Sequence, residues 1–176
     1  AALHQLPESV RNSETATAET IENNVRQVIV EKTPENPKYY EEMSEVLDAL
    51  IRRRRQKAIE YEAYLAQILA LAEKIGQSGT QGAYPPEIRS QAQRALFDNV
   101  VPGGSGLQEA DTARRAQIAL AMDETIRSVR RDDWRGHTLK EREVRRAIEK
   151  VVRIELGDNA VDIDTLFELV KNQDEC

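Results

Sequence analysis

The chain has 176 residues and a net charge of −6, with 40% hydrophobic, 32% charged and only 5% aromatic residues. That length suits one core, or a compact domain with an appended arm, and the negative balance argues against a general nucleic-acid binder. The single cysteine, Cys176, excludes a disulfide framework or a cysteine zinc site within one chain, and no apolar run reaches the roughly 18 residues of a membrane span.

The opening AALHQLPESVRNSE lacks the basic and apolar regions of a signal peptide. It carries no initiator Met, so trimming or a fragment of a larger chain is expected. The absence of disulfides fits a reducing cytoplasm. Residues 1–16 are polar, contain Pro7 and read as a loop or arm. The next segment, TATAETIENNVRQVIVEK, spaces Ala18, Ile21, Val25, Val28 and Ile29 as one face of a helix. Thr33-Pro34-Glu35-Asn36-Pro37 is a break, with Asn36 suited to a helix N-cap and Pro37 to the first helical position.

From Asn36 to Ile75 the sequence predicts one long helix of about 60 Å, at 1.5 Å per residue. It carries a near-heptad in two sets, Tyr40, Leu47, Tyr61, Ile68, Ile75 and Met43, Leu50, Tyr64, Leu71. The next positions of that register after Leu47 and Leu50 are Arg54 and Lys57, so the seam is apolar at both ends and cationic between.

A loop follows over 77–86, then a helix expected from Glu87 to Val100. A second loop holds the glycines of 102–106, and a helix is expected from Leu107 to Arg131. Thr138 to Glu141 fits a capping box, starting a helix that stops at Gly157. Asp162 or Asp164 caps a last helix, with Ile163, Leu166, Phe167 and Val170 as its stripe. The expected fold is all-α: an irregular bundle of five or six helices organised on the long one. Residues 1–35 form an arm and helix leading in, and 36–176 form the helical domain.

Catalytic signals are sparse. The loop VPGGSG has no Lys and Ser/Thr after it, so it is not a phosphate-binding P-loop. The residues two before the seven lysines are Val30, Asn36, Arg55, Ala72, Thr138, Ile148 and Leu169. None is acidic, so the carboxylate-x-Lys pair of a metal-dependent nuclease is missing. His4 and His137 stand alone. Two features remain. Arg52, Arg53, Arg54 and Arg55, with Lys57, can clamp phosphate or an acidic surface, or can be a solvated face paired with nearby acids. Trp134, with Arg135 beside it, can plug the core under a turn or anchor an interface.

Seven strings in order complete the reading: ETIENNVR, NPKYYEEMSEVLDALI, RRRQKAIEYEAYLAQILALA, RALFDN, IALAMDETIR, DDWRG and LVKNQ. The set resembles the C-terminal helical region of the R (motor and endonuclease) subunit of type I restriction enzymes. The resemblance implies a nuclease and an ATP-driven DNA translocase preceding this region in the same chain. It also implies assembly with a methyltransferase core of modification and specificity subunits. The parent complex would use ATP, Mg2+ and S-adenosylmethionine. This fragment would hold no catalytic, cofactor or metal residue and would be a docking module. Arg52, Arg53, Arg54, Arg55, Lys57, Trp134 and Arg135 are its contact candidates, and duplex DNA is the alternative partner.

Overall fold

The computed structural model describes residues 14–76, 84–100, 112–157 and 161–173. Among them lie seven α-helices and no strand. We name them α1 (Glu14–Lys32), α2 (Pro37–Arg55), α3 (Tyr61–Gly76), α4 (Gln91–Asn99), α5 (Thr112–Val129), α6 (Thr138–Glu155) and α7 (Ile163–Lys171). The glycine loop 102–106, the loop residues 77–83, the arm 1–13 and Cys176 lie outside the described residues.

The protein is all-α as expected, but the long rod is two helices, which raises the number among the described residues to seven. The helix is interrupted over 56–60. Lys57 takes φ 54°, the left-handed region that L-residues avoid. The N–H of Ala58 bonds to the carbonyl of Arg53 at 2.9 Å, and that of Lys57 to Arg54 at 3.0 Å. This is the Schellman pattern, with a lysine where glycine is usual. Four arginines fill the last turn of α2, where the carbonyl end of the helix favours cations. The Arg run is thus a helix end, and the two apolar halves of the seam belong to different helices.

The chain divides into two compact units, residues 1–33 with 40–78 and residues 34–39 with 79–176. In the first, α1 buries Ala18, Ile21, Val25 and Ile29, α2 buries Met43, Leu47 and Leu50, and α3 buries Tyr64, Ile68 and Leu71. Helix α1 packs on α3. The run Val28-Ile29-Val30, which could pass for a strand, continues α1.

In the second unit, α5 packs on α4 and α6, and α7 packs on α6 and α4, closing a ring of four helices. Leu96, Met122, Ile126, Ile148, Leu166 and Val170 fill it, each no more than 1% exposed. Helix α4 starts at Gln91, later than the expected Glu87. The capping box there is formed by Ser90 and Gln93: Ser90 Oγ accepts from the Gln93 N–H, and Gln93 Oε1 accepts from the Ser90 N–H.

Thr138 is inside α6 rather than capping it. His137 holds the cap position without a side-chain bond, and Glu141 reaches back to accept from the Gly136 N–H at 2.8 Å. Asp162 is the cap of α7, accepting from the N–H groups of Asp164 and Thr165. The segment 34–39 is tied into this unit by side chains. Asn36 Nδ2 donates to Asp98 at 2.7 Å, Asn99 Nδ2 donates to Asn36 Oδ1 at 2.7 Å, and Gln173 Nε2 donates to the Glu35 carbonyl at 2.5 Å.

Candidate functional site

The consecutive arginines at the end of α2 project in directions about 100° apart, and the fold gives them different surroundings. Arg52 and Arg55 are exposed, as is Lys57 in the turn beyond. Arg53 is also exposed and donates from Nη1 to Gln67 Oε1 of α3 at 3.3 Å.

Arg54 turns inward. Its guanidinium forks onto Glu22 of α1, Nε to Oε1 at 2.8 Å and Nη2 to Oε2 at 3.3 Å. The Tyr64 hydroxyl of α3 donates to the same Glu22 Oε1 at 2.6 Å, and the Arg54 guanidinium lies 5.7 Å from the Tyr64 ring centre. The side chains of Arg54 and Glu22 are only 16% and 6% exposed. Burial opposes the Arg54 charge, but the hydrogen bond and charge of Glu22 outweigh it and raise its pKa. Burial, then the Glu22 carboxylate, pushes the Tyr64 phenol well above its ordinary value. One buried carboxylate thereby joins three helices, and one of the four arginines is a structural residue. Nothing in a run of identical letters marks which one. The partner, Glu22, lies 32 residues away.

Trp134 and Arg135 belong to the second unit. The Trp134 indole is 3% exposed and meets Phe167 edge-on, ring centres 6.2 Å apart. Arg135 lies over the indole at 4.8 Å. Its Nε donates to the Lys171 carbonyl at 2.9 Å, and its Nη2 donates to the Gln173 carbonyl. Between them they fasten the turn before α6 to the end of α7.

Two further carboxylate centres, one buried and one half-buried, are structural. Asp123, 4% exposed, accepts from Gln93 Nε2 at 2.8 Å and Arg127 Nε at 2.8 Å. Asp98 accepts from the Tyr84 hydroxyl at 2.6 Å as well as from Asn36. Burial, then the Asp98 charge, raises the Tyr84 pKa. Among the described residues no group of three or more His, Cys, Asp and Glu is arranged to hold a metal ion. No described helix is long and apolar enough to cross a membrane.

A second cationic set lacks a run to announce it. Arg142, Arg146 and Lys150 stand four apart on α6 and are exposed. Their signal in the sequence is spacing rather than adjacency.

No protein-family model matches the chain, and no curated protein or solved structure matches it either.

Proposed function

We propose that this chain is the C-terminal helical assembly module of a type I restriction R subunit. In this reading it holds the ATP-dependent DNA translocase and endonuclease on the methyltransferase core, in the cytoplasm. Catalysis, with its ATP, Mg2+ and S-adenosylmethionine, belongs to the motor domains and partner subunits.

One observation carries the reading. Each of the seven strings behind the resemblance contains a side chain that ties separate segments together. Glu22, Asn36, Arg54, Asp98, Asp123, Arg135 and Gln173 stand one in each, in chain order. Side chains engaged in holding helices suit a scaffold that presents surfaces to other proteins. The test is size-exclusion chromatography of this chain mixed with a methyltransferase complex at tens of micromolar. Co-elution is expected, and separate elution would refute the assignment.

A second reading has its own observation: Arg52, Arg53, Arg55 and Lys57 are all exposed around one turn. As a guide surface for duplex DNA, they would give weak, sequence-independent binding that falls with salt. Changing all four to Gln should then lower affinity and reduce the salt slope by about one for each phosphate no longer neutralised. Unchanged binding would remove this reading.

A further inference from the structure

Helix α6 carries a face that the fold does not use. Arg142, Arg146 and Lys150 repeat every four residues, so their stems rise about 6 Å apart along one side. All three are exposed, and none forms an ion pair with a described residue. The other charges around them are answered. Arg145 pairs with Asp164 at 2.5 Å, Arg153 with Glu149 at 3.1 Å and Lys171 with Glu141 at 3.2 Å. Glu143, on the same helix, meets Arg131 of the α5 end at 3.9 Å.

The stripe forms a ridge between two grooves. On one side a groove of about 610 Å³ runs against the end of α5, lined by Arg130, Arg131, Arg146 and Lys150, with Glu143 as its one carboxylate. On the other, a groove of about 420 Å³ runs toward α7, lined by Arg142, Arg145, Arg146 and Phe167 together with Glu141 and Glu149, the carboxylates paired with Lys171 and Arg153. Arg146 lines both. In a chain of net charge −6, this concentration of Arg and Lys is a local reversal of sign.

The ends of the stripe identify the class of partner. Leu139 and Ile154 lie on the same side of α6 and are 64% and 67% exposed. They stand about 22 Å apart, four helical turns. Only Val30 and Val46 join them as large, well-exposed apolar side chains among the described residues. A phosphate backbone offers such side chains no apolar surface. A protein helix with carboxylates at its middle and an apolar residue near each end satisfies both the cations and the two anchors.

We infer that this face of α6, Leu139–Arg142–Arg146–Lys150–Ile154, is a docking surface for an acidic amphipathic helix of a partner protein. The inference deepens the assembly reading and rests on it only for the identity of that partner.

The test uses the whole 176-residue chain and a fluorescent helical peptide of about 18 residues, long enough for the span. The peptide carries Glu at every fourth position and a Leu near each end. At low ionic strength, anisotropy should show saturable binding that weakens with added salt. R142E/R146E/K150E should lower affinity at least about tenfold, and R142Q/R146Q/K150Q by less, since the stems remain. L139S/I154S should lower it severalfold, while R52Q/R53Q/R55Q should leave it unchanged. Circular dichroism should match for all variants, because these side chains are exposed.

No binding to the unaltered chain overturns the inference, as does equal binding by the Glu variant. So does a duplex DNA that binds more tightly than the peptide and is insensitive to L139S/I154S. Mixing with the methyltransferase core separates the two claims. Peptide binding without co-elution overturns the assembly reading and keeps this face. Co-elution that survives R142E/R146E/K150E keeps the assembly reading and overturns the face.

Discussion

Each unit pairs an apolar core with a buried carboxylate, and the two differ in how many helices that carboxylate joins. In the first, a carboxylate is buried among helices: Glu22 takes a forked bond from Arg54 and a hydroxyl from Tyr64. In the second, apolar side chains fill a ring of four helices, and polar ties such as Asp98 and Asp123 accompany them. A buried ion pair adds little net stability over a well-packed apolar replacement, but its loss is costly because one charge is left without its partner. The contrast teaches that one carboxylate, Glu22, ties all three helices of the first unit, whereas Asp123 ties only two helices of the four-helix ring in the second.

The largest expected effect lies in the core of the second unit. Trp134→Ala removes a buried indole and its packing against Phe167, and should cost about 3–5 kcal/mol. Urea unfolding followed by circular dichroism reads this directly. Next is Glu22→Ala, which strands Arg54 and the Tyr64 hydroxyl, for a loss of about 3 kcal/mol. Amide hydrogen exchange should speed up in α1 and α3, and unchanged exchange there would dissolve the contrast between the units. Lys57→Gly relieves a side chain from the left-handed region and should stabilise by about 1 kcal/mol. A lower melting temperature for that variant would mean that Lys57 makes an interaction worth more than the strain.

The smallest effect at neutral pH sharpens the comparison at high pH. Tyr64 and Tyr84 both have raised pKa values. In the unfolded chain a tyrosine ionises near 10, while the fold holds these protons longer. Their contribution is therefore complete below about pH 10 and is lost as pH rises further. Tyr64→Phe should flatten the alkaline loss seen in the first unit, and Tyr84→Phe that seen in the second. Parallel curves for the variants and the unaltered chain, followed by hydrogen exchange, would contradict this.

Much of the fold is legible in the sequence because helix periodicity is a local signal. Ala18, Ile21, Val25 and Ile29 face inward as their spacing predicts, and so do Leu166, Phe167 and Val170, while Val28 and Ile163 of the same stripes are only half-buried. Asn36 and Asp162 cap their helices, Asn36 accepting from the Tyr39 N–H at 3.3 Å. The break at Lys57 is hidden for a physical reason. A glycine usually marks a left-handed helix end, and here a lysine bears that conformation. The arginine run that signals a helix terminus also looks like a cationic waist. The division of labour among the four arginines depends on a carboxylate from α1, a pairing that local spacing cannot encode. The stripe on α6 is readable in principle, since its period of four is in the letters. Its lack of ion-pair partners among the described residues emerges only once Asp164, Glu149 and Glu143 are seen to be engaged elsewhere.

The turn after α2 has a consequence for proteolysis. It is short, exposed and flanked by Arg52, Arg53, Arg55 and Lys57, the side chains after which trypsin cleaves. Such turns are where native proteins are first nicked. A brief digestion should cut there early. After a cut at Arg55 or Lys57 the pieces should stay together under native conditions and separate only in denaturant, because Glu22 would still bridge Arg54 on one side of the cut and Tyr64 on the other.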